Sequence, residues 1–377
     1  EEQFEMVQYV EKGRKPRWGY FLKEGHPQAV TRFDGTRITP GFLQAIAYEV
    51  YVKNVIFGLL HQWLGDMGMT VSENTLRNWL KKGRKYLDRM VVELKRIALE
   101  KDAVVNCDET WCKVRKYDRY KKCYMWVLVN KAERVVIFFY EDGSRGRDVL
   151  TNFLGDAELK ALMSDGYNAY VFIGDGLKTH RYKDTDHQVC LAHVRAKFVK
   201  ARMEGGDKRA DVFLDNINRL FRFEREYDRE MITDGERTRR RQGLPTMEAM
   251  INLRANLLQE LKSEEEQKSC YMREALNYLH KFWNEAFTYI KDGRYPISNN
   301  LAERAVRPFT TKRKNSLHFG SNEGAEIAAV YHSIISTVKL QGRSAWGYLG
   351  KFFTGIFNGC RDFLSLTPQN IDLAVCQ

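Results

Sequence analysis

Two short runs constrain this chain most: Tyr124–Val129 and Val135–Tyr140 are each an unbroken series of apolar, β-branched and aromatic residues. Runs of this length suit strands, and without polar alternate positions they belong in a sheet covered on both faces. The polar segment Asn130-Lys131-Ala132-Glu133-Arg134 between them reads as a hairpin turn. Such a hairpin needs apolar cover from two further layers, so helices are expected above and below it. Upstream, Ala103-Val104-Val105 leads into Asp108 and predicts a third, antiparallel strand.

Downstream, the stretch Gly143 to Gly146 breaks the pattern, and Arg147–Leu154 reads as a short helix. The apolar run Leu159 to Met163 predicts a strand that ends at Asp165, and a further strand is expected around Gln188 to Leu191. The order β-β-β-α-β-α-β-α is the ribonuclease-H-like arrangement, a mixed α/β (α+β) fold whose sheet is flanked by helices. In it, one acid sits on the first strand and another at the end of the fourth.

Around this core the text is helical. Residues 1–40 mix charge, Gly and Pro without a period and read as an irregular segment. Because the chain opens on Glu1, this segment is expected of a fragment or a truncated reading frame. Residues 41–100 suggest helix, tight turn and helix, with Ser72 as the N-cap of the second. Leu76, Trp79 and Leu80 would form its apolar stripe, while Arg77, Lys81, Lys82, Arg84 and Lys85 populate the outer face. That pattern fits either a DNA-binding helix-turn-helix, with Arg77 and Lys81 as contacts, or a bundle with a solvated basic face. The core is expected over 101–199 and again over 296–345, split by an all-helical insertion at 200–295 and followed by a packing helix within 346–377. Within the insertion, the basic run Arg237 to Arg241 reads as a solvated loop or a phosphate contact.

Three acids stand in three different contexts: Asp108 and Asp165 at strands, and Glu303 on a helix that Ser298 or Asn299 would cap and Pro308 would end. Carboxylates are hard oxygen ligands, so a convergent set would suit two Mg²⁺ ions, or Mn²⁺, for phosphoryl transfer. Glu109 is expected to face away from Asp108 by strand alternation. Asn299 and Asn300 would support the site, and Arg304, Arg307, Lys312, Arg313 and Lys314 would meet phosphates, as could His318. The whole chain carries 61 Lys and Arg against 49 Asp and Glu, a net charge of +12 that favours nucleic acid as partner. Seven Cys with no C-x-x-C pair speak for a reducing compartment rather than a disulfide scaffold. No apolar run is long enough to span a membrane, so a cytoplasmic, nucleoid-associated protein is expected.

Several phrases resemble, in order, the insertion-sequence-66 family of bacterial DDE transposases: CDETWCKV at 107–114, SDGYNAY at 164–170, CLAHVRAKF at 190–198, NNLAERAVRP at 299–308 and the stretch 312–342. The resemblance covers roughly residues 42 to 345. It implies DNA cleavage and strand transfer at the ends of a mobile element, with Asp108, Asp165 and Glu303 as the catalytic, metal-binding triad. A homodimer or larger assembly on DNA, with accessory proteins where required, would follow. The Cys-rich N-terminal module usual in such families has no counterpart among the first residues here. Cys190 and His193 make one C-x-x-H pair, too few ligands for a structural zinc, which is not expected. His193 is instead expected near the active site or as a hydrogen-bonded structural residue. Two other readings stay open: a ribonuclease-H-like nuclease or resolvase that cuts without joining, and a non-catalytic DNA-binding regulator.

Overall fold

The computed structural model describes residues 4–9, 17–22, 38–117, 119–263 and 268–372. Strands β1 (Phe4–Tyr9) and β2 (Arg17–Leu22) pair antiparallel. The rest of the 1–37 stretch lies outside the described residues.

The centre is a five-stranded mixed sheet, as the element order predicts. Its strands are β3 (Val104–Lys116), β4 (Arg119–Asn130), β5 (Val135–Glu141), β6 (Ala161–Ser164) and β7 (Asp186–Val189), in the spatial order β5-β4-β3-β6-β7. The first three are antiparallel, while β6 and β7 run parallel to β3. Helix α4 (Arg147–Leu154) joins β5 to β6. As the unbroken apolar runs require, β4 and β5 are covered on both sides. Trp126, Leu128 and Ile137 pack into one core; Met125, Val127, Val136 and Phe138 pack into another.

Edge strand β5 would offer unpaired backbone groups to a foreign strand. Helix α12 (Asn322–Leu340) closes it with hydroxyls one turn apart. The N–H of Phe138 donates to Ser333 Oγ at 2.8 Å and that of Val136 to Thr337 Oγ1 at 2.9 Å; the same hydroxyls donate back to the carbonyls of Phe138 and Val136.

On the same side of the chain lie α1 (Pro40–Tyr51), α2 (Phe57–Asp66), α3 (Glu73–Ala98) and α13 (Ala345–Phe357). Ser72 caps α3 as its position predicts, accepting from the N–H of Thr75. Leu76, Leu80, Leu87, Met90 and Leu94 recur every three or four residues along α3 and are fully buried, each contributing roughly 1.5–3 kcal/mol. Gly83 completes that stripe. A Cβ there would meet Tyr331 Oη at 2.5 Å, and Tyr331 donates to the Leu80 carbonyl, so only glycine admits this helix crossing.

After β7 come α5 (Leu191–Met203), α6 (Ala210–Glu230), α7 (Asp234–Arg241), α8 (Leu244–Lys262), α9 (Cys270–Lys281) and α10 (Trp283–Phe287). All of these but α7 contribute to a separate apolar core that includes Phe198, Phe213, Leu253 and Leu276 and reaches the sheet at Ala161. The basic run is not a loop: Arg237 to Arg241 lie on α7, where Thr233 caps the helix and acidic neighbours hold the guanidinium groups. The chain then returns through α11 (Asn300–Ser316), which packs on β3 and β4. Pro308 sits inside α11 rather than ending it. Pro308 withholds the N–H that would bond the Arg304 carbonyl, and the Arg307 carbonyl beside it accepts from the hydroxyls of Thr310 and Thr311. Among the described residues no helix is long and apolar enough to cross a membrane.

Candidate active site

Alternation along β3 sends its polar residues to opposite faces. Asn106 and Asp108 share the face that α11 covers. There the Asn299 side chain is fully buried: its Nδ2 donates to the Cys107 carbonyl at 2.8 Å and its Oδ1 accepts from Asn106 Nδ2 at 2.9 Å. Asn299 occupies the N-cap position of α11, yet its amide caps nothing. It is spent on bolting the helix start to β3, while the N–H of Glu303 donates to the Asn299 carbonyl at 3.1 Å as a first-turn bond of the helix. Glu303 is thereby set in the first turn over the strand that carries Asp108.

Asp165 follows β6 directly. Its Oδ1 accepts from the N–H of Tyr167 at 2.9 Å, and its carbonyl accepts from the Tyr278 hydroxyl of α9. The next residue, Gly166, has φ +78°, and a Cβ there would lie 2.8 Å from Tyr278 Oη. The turn that aims Asp165 therefore requires glycine. Behind it, Ser164 Oγ and His187 Nε2 are hydrogen-bonded at 3.0 Å in the interior. Burial pushes the His187 imidazole down to about 4, so it stays neutral there.

Burial first, then the charges of Glu109, Asp165 and Glu303, push the Asp108 carboxyl from 3.8 up to about 8. Asp165 and Glu303, two of the acids named from sequence, thus act on the third, Asp108, through their charges, though less strongly than Glu109 does. Glu109 faces the other side, as alternation predicts. Its side chain is 1% exposed, accepts from the Tyr170 hydroxyl and pairs with Arg145, whose Nε donates at 2.6 Å. Arg145 also lies over the Tyr167 ring at 3.7 Å. An open cleft of about 460 Å³, lined by Arg145, Arg147, Tyr167, Asn168, Phe172 and Lys178, adjoins the cluster through Arg145 and Tyr167.

The oxygen donor set suits a hard cation such as Mg²⁺ or Mn²⁺. Burial is the first cause of the upward push on Asp108, and the like charges that add to it are what such ions would offset. A pH prediction follows. The native chain keeps the Asp108 proton up to about pH 8, whereas the unfolded chain releases it near 3.8. Between those values the native state binds more protons, so this group's contribution to stability is lost as pH rises. Without divalent ions, Tm is expected to fall between about pH 5 and about pH 8, with a flatter profile for Asp108→Asn. Identical slopes in the two proteins would remove Asp108 as the source.

The basic residues named from sequence divide. Arg304, Arg307 and Lys314 are exposed on α11 and make no ion pair among the described residues. Arg313 donates to Thr110 Oγ1 and the Trp111 carbonyl and stacks on the Trp111 ring. Lys312 corrects the expectation: it is 7% exposed, donates to the Val50 carbonyl at 3.0 Å and sits over the Tyr51 ring. One step of 100° along α11 from its exposed neighbours turns it inward, so it reaches no phosphate. On α3, Arg77 pairs with Glu73 and Lys81 with Glu323. Asn300 is exposed at the start of α11, and His193 Nδ1 lies 3.7 Å from Glu303 Oε1. Asn106, Arg145, Tyr170 and Tyr278 join the site without being expected there from the sequence. For Arg145 the available signal was a lone guanidinium between glycines just ahead of a helix.

Comparison with known proteins bears on this site. The sequence model of the transposase IS66 family matches residues 35–327. Curated relatives are uncharacterized proteins of Sinorhizobium fredii (strain NBRC 101917 / NGR234). The chain is 26% identical to y4jD over 350 residues, covering 88% of this chain and 65% of the relative. It is 27% identical to y4qI over 239 residues, covering 63% and 43% respectively. The chain thus spans less than two thirds of the length of these relatives.

Proposed function

The chain belongs to the IS66 transposase family, and on that premise we propose that it is a metal-dependent DNA transposase whose triad is Asp108, Asp165 and Glu303. The observation that carries this reading is that Asp108 on β3, Asp165 just after β6 and Glu303 in the first turn of α11 interact through their charges, Asp165 and Glu303 adding to the burial and the Glu109 charge that raise the Asp108 carboxyl. The catalytic core is a ribonuclease-H-like sheet contributed by 101–199 and completed by 296–345. The helices between them form the insertion, and 41–100 forms a DNA-facing helical region.

Asp108, Asp165 and Glu303 would hold two Mg²⁺ ions, or Mn²⁺. When bound, such ions stabilise charge on the attacking and leaving oxygens of an in-line displacement. The chain's own residues set the geometry. Asn299 fixes the height of Glu303 over β3, while Tyr278 and the Gly166 turn aim Asp165. Arg145 and Tyr170 occupy both oxygens of Glu109 and keep it out of the set. Water attacks at the element end and frees a 3′-hydroxyl, which the same site directs at target DNA. The protein acts in the bacterial cytoplasm at the nucleoid, as a homodimer or larger assembly that holds two ends together. A strand-transfer assay with labelled element ends and Mg²⁺ tests this. Joined product supports it; nicked product without joining points to a nuclease, and metal-independent binding without cleavage to a regulator.

Arg304, Arg307 and Lys314 line the exposed side of the Glu303 helix and are assigned to phosphates. Arg304→Ala and Lys314→Ala should each lower the slope of log affinity against log salt by about 1. Lys312→Met, at a buried position, should leave it unchanged. Equal slopes for wild type, Arg304→Ala and Lys314→Ala would remove α11 from the DNA interface.

A further inference from the structure

We propose that Cys190, His193 and Glu303 form a binding site for a soft divalent ion, Zn²⁺ by ligand chemistry, and that this ion competes with the catalytic site for Glu303. The competition rests on the transposase reading; the binding site does not. Two helix starts meet here. Cys190 immediately precedes α5, His193 is in the first turn of α5, and Glu303 is in the first turn of α11. The N–H of Leu191 donates to the Ile297 carbonyl at 3.2 Å, which ties the two starts together. One ligand atom from each of the three residues lies within 4.8 Å of the others.

Neighbouring ligands of tetrahedral zinc are about 3.3–3.8 Å apart, given metal–ligand bonds of about 2.0–2.3 Å. His193 Nδ1 and Glu303 Oε1 are already 3.7 Å apart, so a small rotation of side chains closes the set. That nitrogen is itself shielded from solvent and has no hydrogen-bond partner among the described residues. Cys190 Sγ accepts the N–H of Asn299 at 3.1 Å. Burial pushes its thiol up to about 11, while N–H groups of Asn299, His193 and Ala192 favour the thiolate. An ion displaces the proton and completes that preference. Sulfur and imidazole select Zn²⁺ over Mg²⁺. Three protein ligands leave a fourth position open, unlike a closed structural zinc. Because His193 and Glu303 are each more than one third exposed, an ion has a way in.

The test adds Co²⁺, a spectroscopic stand-in for Zn²⁺, to the full chain and follows the thiolate-to-metal charge-transfer band, with Zn²⁺ displacing it. The band should appear in the wild type and vanish in Cys190→Ser. His193→Ala and Glu303→Gln, which retain the thiol, should each weaken Co²⁺ binding by at least about tenfold. No band in the wild type, or a band that survives in Cys190→Ser, overturns the site. If Cys190→Ser does not fold, unchanged affinity in both His193→Ala and Glu303→Gln overturns it. Saturating Zn²⁺ should then suppress Mg²⁺-supported cleavage by the wild type, and cleavage indifferent to it overturns the competition. Absence of cleavage in Mg²⁺ alone counts instead against the transposase reading and leaves the Co²⁺ result standing.

Discussion

Asp108→Ala is expected to lower Mg²⁺-dependent cleavage of element-end DNA by at least about a thousandfold, roughly 4 kcal/mol of transition-state stabilisation. Asp165→Ala and Glu303→Ala should do the same. The physical reason is that each carboxylate comes from a different element, so no neighbour stands in for a lost one. Glu109, the nearest acid in sequence, is already committed to Tyr170 and Arg145 across the sheet. DNA binding should persist, because phosphate contacts are assigned to exposed cations rather than to the acids. The pairing of measurements matters: cleavage rate in Mg²⁺ and affinity by fluorescence anisotropy at fixed salt. Full cleavage by any one variant removes that residue from the triad. Loss of affinity parallel to loss of rate would instead mean that the substitution disturbed the fold or the DNA surface.

The largest stability effect is expected at Arg241. The residue is 1% exposed, and its Nε and Nη2 donate to the two oxygens of Glu224 at 2.8 and 2.7 Å. Its Nη1 donates to the carbonyls of Tyr289 and Asp292, both at 2.7 Å. Arg241→Met should cost about 3–5 kcal/mol, since it leaves a buried carboxylate undercompensated and two carbonyls without a donor. Arg237 still reaches Glu224 Oε2 at 2.8 Å and limits the loss. Urea unfolding checks the figure, and a cost below about 1 kcal/mol would show that water replaces the guanidinium. Replacing Glu224 as well, Arg241→Met with Glu224→Leu, should recover part of the cost. The Tyr289 and Asp292 carbonyls lie on the segment that leads back to α11. Loosening them should therefore also reduce cleavage through Glu303.

Much of the site was legible in the chain because it depends on local rules. Alternation along β3 was enough to separate Asp108 from Glu109. The hydroxyl of Ser72 ahead of an apolar stripe was enough to place the start of α3, and the unbroken runs of β4 and β5 were enough to demand cover on both faces. Where reading the residues failed, a distant partner had changed their meaning. Arg237 to Arg241 read as a solvated loop because five polar residues in a row usually are; Glu224, Asp228 and Glu230 of α6 turn them into a pinned helix. Lys312 looked like its cationic neighbours until the Val50 carbonyl and Tyr51 ring of α1 enclosed it. Asn299 had the residue type of a cap but found a stronger use in the backbone of β3.

The residues alone were enough for the strands of the central sheet and their two-sided cover, for the apolar stripe and capped start of α3, and for the position of Asp108 and Asp165 at strands and Glu303 on a helix. Those properties follow from periodicity and side-chain chemistry within a few residues. It took the folded chain to make Asp165 and Glu303 act on Asp108 through their charges, to pair Glu109 with Arg145, and to bring Cys190 and His193 to Glu303. Such pairings join residues far apart along the chain, and their energy exists only once packing has excluded water and brought the charges together.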